Sequence, residues 1–268
     1  MKTLAVTLFV FFSFTLKAQL DIDTTLSKKE LVYKVLMSES SDMLIRNIKY
    51  RGSDFSIASF VNESPEVLID KGLILSTGDV FDAMGPNKKP NTGVRASGMR
   101  DQDLQSIATS IVIDATVLEF EILALRDSLS FEYVFASEEY PEYVNQGVND
   151  VFGFFVKELN SRALSPHNIA LLDDGRTTVS IDNVNHRVNE EYFLKSDFFE
   201  GKSLQFWEQN REMMMRARVF EFDGFTVPLE AKAYLKAGKW YQFKIAISDV
   251  GDRYFDSAVM IKAQSFKS

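Results

Sequence analysis

The sequence predicts an all-β, antiparallel β-sandwich of jelly-roll-like type with one short N-terminal helix. Three observations carry this. Apolar and polar residues alternate at period two in several stretches, the pattern of strands with one buried face. Turn residues punctuate the chain at short intervals between those stretches. Only one segment combines helical spacing with a cap.

That segment is 27–37. Ser27 precedes Lys28, Lys29 and Glu30 in the S-x-x-E form of a capping box, and Leu31, Val32, Val35 and Leu36 are spaced for one helical face, as in a helix that packs on a sheet. Ile45, Ile48 and Tyr50 open the β-like part and lead to a turn at Gly52-Ser53, followed by a run over 55–61. Residues 72–78 form a buried strand with a glycine at each end. Residues 79–98 have loop composition, with Gly85, Pro86, Asn87, Pro90, Asn91, Gly93 and Gly98. In 111–122, Leu118, Phe120 and Ile122 face one way and Glu119 and Glu121 the other. Strand 127–135 follows after a short connection, which predicts an antiparallel hairpin. There Leu129, Phe131, Tyr133 and Phe135 alternate with Ser130, Glu132 and Val134, predicting one buried face. Residues 151–156 are apolar throughout, as in a strand covered on both sides. A turn at Asp173-Asp174-Gly175 separates 168–172 from 177–184. Phe206, Trp207 and Met213–Met215, within 190–217, fit a helix or an irregular excursion equally. Asp223-Gly224 marks a turn or bulge, Tyr241, Phe243, Ile245 and Ile247 alternate with polar residues, and 258–266 closes the fold.

Residues 1–18 read as a signal peptide: Lys2, an uncharged run from Leu4 to Leu16, then Ala18. The run is too short to span a membrane, and no later segment reaches ~20 apolar residues, so no membrane insertion is expected. Residues 19–26 are expected to be an exposed leader, and 27–266 one domain. Loss of Lys2 and Lys17 takes the formal charge from −8 to −10, which sets aside nucleic acid and anionic lipid as partners. Cysteine is absent. The fold must therefore be held by its core, for which 46% hydrophobic residues and 23 Phe are ample, and thiol chemistry and Cys-based metal sites are excluded.

Residues 72–78 (GLILSTG), 135–144 (FASEEYPEYV), 149–155 (NDVFGFF), 223–226 (DGFT) and 244–258 (KIAISDVGDRYFDSA) together resemble the choice-of-anchor L domain. That domain is found in exported bacterial proteins that differ in how they are attached to the cell. The resemblance runs from about residue 27 to 266 and implies a β-rich extracellular or surface domain without catalysis, with an adhesive or recognition role. No sorting tail or lipobox cysteine is visible, so the expected location is the medium, the cell surface or the periplasm.

Two acidic loops carry the candidate chemistry. Glu138, Glu139, Asn149 and Asp150 lie in one, and Asp249, Asp252 and Asp256 in the other. Ca²⁺ takes 6–8 oxygen ligands in flexible geometry, which two such loops at one end of a sandwich can supply, although neither has the EF-hand pattern. Ca²⁺ is the candidate cofactor; solvated or Lys- and Arg-paired acidic turns are the plainer account. Tyr140 and Tyr143 are candidate ligand-binding aromatics for a surface protein or glycan, or else a lid over the sandwich end. The alternative function is a glycoside hydrolase using Glu138 or Glu139 with Asp150 or Asp252 as paired carboxylates. Other reaction classes lack their parts: His167 and His186 lie in separate loop-like segments, and there is no H-E-x-x-H, G-x-S-x-G or phosphate-binding glycine motif.

Overall fold

Alternating burial sorts the strands into two facing sheets. The computed structural model describes residues 20–37, 43–64, 68–88, 92–93, 97–163 and 165–267; the expected signal peptide lies outside them. One sheet has the order β1 (Leu20–Asp23), β3 (Ile57–Asn62), β4 (Lys71–Ser76), β13 (Ser257–Lys262), β6 (Ser128–Ser137), β10 (Gly224–Thr226), β9 (Phe193–Lys195), with β11 (Leu229–Tyr234) also paired to β6. The other has β2 (Leu44–Arg51), β5 (Val112–Leu123), β12 (Trp240–Val250), β7 (Val151–Glu158) and β8 (His167–Asn168). Every pairing is antiparallel, and the all-β sandwich is as expected.

Between the sheets lies the main core. Phe131, Tyr133 and Phe135 of β6 meet Phe152 and Phe154 of β7 and Phe243 of β12. Their rings sit 4.8 Å (Phe131–Phe154), 5.5 Å (Tyr133–Phe152) and 5.7 Å (Phe131–Phe243) apart in edge-on pairs, each adding about 1 kcal/mol beyond burial. Phe266, just past β13, folds back to stack on Phe131 at 4.4 Å. Leu31, Val32 and Leu36 join this core from the helix. Ser27 caps it as expected: its Oγ accepts from the Glu30 amide (3.3 Å) while the Glu30 carboxylate accepts from the Ser27 amide (3.0 Å). The helix begins as α1 (Lys28–Glu30) and continues as a π-helical stretch, Leu31–Leu36.

Four expectations are corrected. β5 and β6 do not form a hairpin: β5 pairs with β2 and β12, and β6 with β13, β10 and β11 in the opposite sheet. Their short connection crosses between layers, which alternation alone cannot distinguish from a return within one sheet. Residues 20–23 of the expected leader form β1, with Leu20 and Ile22 buried against the outer face of the first sheet. β6 is covered on both faces toward its end, because Val134 and Ala136 pack in that same outer cluster. The N-terminal helix is not the only one: the stretch that the sequence leaves open contains α3 (Leu204–Gln209) and α4 (Arg211–Val219), and Val219, Phe220 and Phe222 lie over the outer face.

The second sheet's outer face is closed by α2 (Gln102–Ile107), whose Leu104 packs on Val117, Phe155 and Ala246. Asp101 caps α2 by accepting from the Asp103 and Leu104 amides. Asp101 also pairs with Lys244 Nζ at 2.9 Å and with Arg51 at 2.8 Å. Asp103 holds Lys244 from the other side at 2.6 Å, and Glu119 stands 3.7 Å away. Lys244 is a buried cation on a central strand, made tolerable by these carboxylates. Lys244→Ala should lower the unfolding free energy in chemical denaturation by about 3 kcal/mol, the cost of breaking a buried ion network; a loss below about 1 kcal/mol would show that Asp101 needs only Arg51.

Candidate functional site

The two acidic loops meet. They are brought together where β6 ends, β7 begins, β12 ends and β13 begins. Asp150, just before β7, is the link: its Oδ1 accepts from the Val250 amide (3.0 Å) and its Oδ2 from the Ser257 hydroxyl (2.7 Å). Its own amide reaches Glu139 Oε2 at 3.4 Å. The Glu138 amide donates to the Asp256 carbonyl at 3.1 Å, and the Tyr143 ring packs on Phe255 at 4.9 Å.

Glu138 and Glu139, adjacent in sequence, face different neighbours, so the predicted ligand set divides into two clusters. The first comprises Glu139, Asp150, Asp249 and Asp252. Burial, and then the charge of Asp150, push the Glu139 carboxyl far above the usual carboxylate range, with Asp249 and Asp252 adding to the effect. Asp249 is likewise raised well above its ordinary value, by burial and then by Asp150. Asp150 is raised by burial, opposed by its bonds from Ser257 and Val250. Asp249 follows a bulge in which β5 gains a residue on β12: Ile247 pairs with Thr116 and Asp249 with Ile113, and Asp114 takes φ +57°. Such a bulge re-aims the side chains around it. Asp249 Oδ1 has no hydrogen-bond partner among the described residues.

The second cluster surrounds Glu138. Burial, then the charges of Asp223 and Glu221, raise its carboxyl well above the ordinary value. Asp223 is pushed up to about 7 by burial, against the lowering effect of the Asn87 side chain. Asp256 acts on both Glu138 and Asp249, and so lies between the clusters. A side chain at Gly78 would collide with the Asp256 carboxylate, which is why the strand motif ends in glycine there. Among the described residues, no three acidic or imidazole groups are already gathered tightly enough to hold a metal ion.

Asn149, Tyr140 and Tyr143 lie outside the clusters, and Asp252 is also tied into its own turn. Asn149 is buried, but its Oδ1 accepts from the Asp182 amide at 3.1 Å. Asp252 Oδ1 accepts from the Tyr254 amide at 3.1 Å and shapes its own turn. Tyr140 is corrected as a ligand-binding residue: it is wholly buried, donates its hydroxyl to the Val184 carbonyl (2.6 Å) and packs on Phe193 and on Gly224, where any side chain would strike its ring. Tyr143 is half-buried and retains an open face. Sequence reasoning missed Asn87, Asp114, Glu221 and Asp223 as members of the site. The signal for Asp223 lies in the DGFT motif, whose Asp-Gly pair is equally a turn signal. A cleft of about 550 Å³ runs beside β8 and β11, lined by His167, Asp173, Lys232, Tyr234 and Tyr241 among others, and shares no residue with either cluster.

The family model of the choice-of-anchor L domain matches residues 19–267. No curated protein and no solved structure matches the chain.

A carboxyl whose pKa is higher in the folded than in the unfolded chain holds its proton more tightly when folded, so folding stability falls as pH rises between the two values. For Asp223 that window runs from its ordinary 3.8 to about 7, and Glu138, Glu139 and Asp249 extend the decline upward. With a chelator present, urea unfolding should give a higher stability at pH 5 than at pH 8; the opposite order would show that these groups are not buried as described. Tyr140→Ala should cost about 3–5 kcal/mol of stability, as for a large core aromatic, whereas an unchanged urea midpoint would indicate an accessible, ligand-facing ring.

Proposed function

The chain belongs to the choice-of-anchor L domain family, and from that premise we propose that it is an exported, non-catalytic binding module of adhesive type. Ca²⁺ locks its loop end, and its target is a surface protein or glycan. Membership associates the chain with surface-associated, non-enzymatic domains. No helix among the described residues is long and apolar enough to cross a membrane.

The observation that carries the cation is the first cluster. Glu139, Asp150 and Asp249 are 1%, 1% and 4% exposed, and the largest charge acting on Glu139 and on Asp249 is another carboxylate, Asp150. Burying like charges together is costly unless protons or a cation neutralise them. A hard, oxygen-seeking divalent ion fits a set made only of oxygens, with water and main-chain carbonyls completing its shell. Binding would draw the carboxylates together by side-chain rotation, fixing the 138–150 and 249–256 loops against each other. The rigid surface so formed presents Tyr143 and the exposed Tyr254 beside polar groups, a combination suited to sugar rings or a protein face. Glycoside hydrolysis is the less favoured reading, because Glu138, Glu139 and Asp150 are buried and offer a polysaccharide no room between them.

The mature protein should melt roughly 5–10 °C higher in Ca²⁺ at a hundredfold excess over Kd than in chelator. Asp249→Asn should raise the Tm measured in chelator, by removing repulsion, and abolish the Ca²⁺ response. Equal melting temperatures with and without Ca²⁺ would refute the metal reading.

A further inference from the structure

We propose a second cation site, for a divalent ion of the Ca²⁺ class, built by Glu138, Asp223 and the side-chain oxygen of Asn87, with Glu221 beside it. It rests on the preceding reading only in taking the same kind of ion, and it uses residues that play no part in the first cluster.

Two unpartnered groups point to a ligand here. Glu138 is 1% exposed, and neither of its carboxylate oxygens makes a hydrogen bond of normal geometry among the described residues, although the Thr92 amide approaches closely enough to act on it. Asn87 is fully buried, and its Oδ1 is also without a partner. The other end of that amide is fixed, since Asn87 Nδ2 donates to Asp223 Oδ1 at 2.7 Å. The orphan amide oxygen is thereby anchored beside the carboxylate that acts most strongly on Glu138. Three buried oxygens without a normal hydrogen bond are costly. Protonating Glu138 would satisfy only part of the set: it would remove the charge and give one O–H to an acceptor such as Asn87 Oδ1, leaving the other Glu138 oxygen without a donor. A cation satisfies all three at once. A bidentate carboxylate, a second carboxylate and an amide oxygen are the ligand types Ca²⁺ takes, with water and main-chain oxygens as the remainder.

The surrounding loop is built to hold this arrangement. Glu221 accepts from the Lys88 amide (3.2 Å) and the Thr92 hydroxyl (3.1 Å). The Asn87 amide donates to the Ala217 carbonyl at 2.7 Å, and its carbonyl accepts from Phe199 at 3.0 Å. Asp256 donates its amide to the Thr92 carbonyl at 3.2 Å, so Thr92 is tied to the same strand end that borders the first cluster. The site therefore joins Asn87 and Thr92 and the segment following α4 to the end of β6.

Calorimetric titration of the chelator-treated full chain with CaCl₂ tests this. The expected stoichiometry is two Ca²⁺ per chain for the wild type, one for Glu138→Gln, one for Asp249→Asn and none for the double variant. Asp223→Asn, which can keep its contact with Asn87, serves as a second probe and should also bind one. A wild type that binds a single ion, lost in Asp249→Asn and kept in both Glu138→Gln and Asp223→Asn, overturns the second site and leaves the first standing. A single ion lost in Glu138→Gln and kept in Asp249→Asn supports the second site and overturns the first. No binding in the wild type overturns both.

Discussion

Asp150 holds the loop end together. One oxygen ties the end of β12 through the Val250 amide and the other ties the start of β13 through the Ser257 hydroxyl, so a single carboxylate bridges a strand of each sheet. Those bonds favour a charged carboxylate at a position with almost no access to water, among other carboxylates. The end of the sandwich is thus organised around an electrostatic conflict. It is relieved by protons at low pH and, in the account developed above, by cations at neutral pH. At the far side of the second sheet the same problem is solved with side chains, where Asp101, Asp103 and Glu119 enclose Lys244 and Arg51. The loop end differs in that, among the described residues, no Lys or Arg forms an ion pair with Glu138, Glu139, Asp150 or Asp249, and that contrast gives it its functional interest.

The surrounding fold supplies the rigidity that such a site needs. The inner faces are covered by the aromatic core and the outer faces of the central strands by the helical segments and the chain around 219–222, while β2 has no buried residue and β11 keeps one face exposed. Close approach at Gly78 and Gly224 lets Asp256 and Tyr140 occupy space that a side chain would take. Tyr140 thereby pins the acidic loop from beneath, through Val184 and Phe193. Its neighbours Glu138 and Glu139 are left facing the two clusters.

Much of the core was legible in the sequence, because period-two burial is a local property. Phe131, Tyr133 and Phe135, or Phe243, Ile245 and Ile247, announce an inner face without knowledge of their partners. Partner choice is not local, and so the connection from β5 to β6 read as a hairpin although it joins opposite sheets. α4 was obscure because its sequence, REMMMRARV, mixes charge with methionine and buries only Ala217 and Val219. The candidacy of the two acidic loops for one end of the sandwich was readable from their positions at strand ends, with their contact left open. The division of the set was not: Glu138 turns toward Asp223 and Asn87, residues whose sequence setting says only loop and turn. Tyr140 was ambiguous in sequence, since a tyrosine in an acidic loop is equally suited to stacking on a ligand or to burial.

The central claim is that cation binding fixes the two acidic loops against each other while leaving the sandwich unchanged. Native-state hydrogen exchange, compared in Ca²⁺ and in chelator at the same pH, addresses it residue by residue. Added protection is expected at the Glu138 and Val250 amides, which bond across the loops, and at the Asp150 amide, which bonds to Glu139 within the first, with little change in the centres of β5 and β12. Identical protection of those three amides in the two conditions would contradict it.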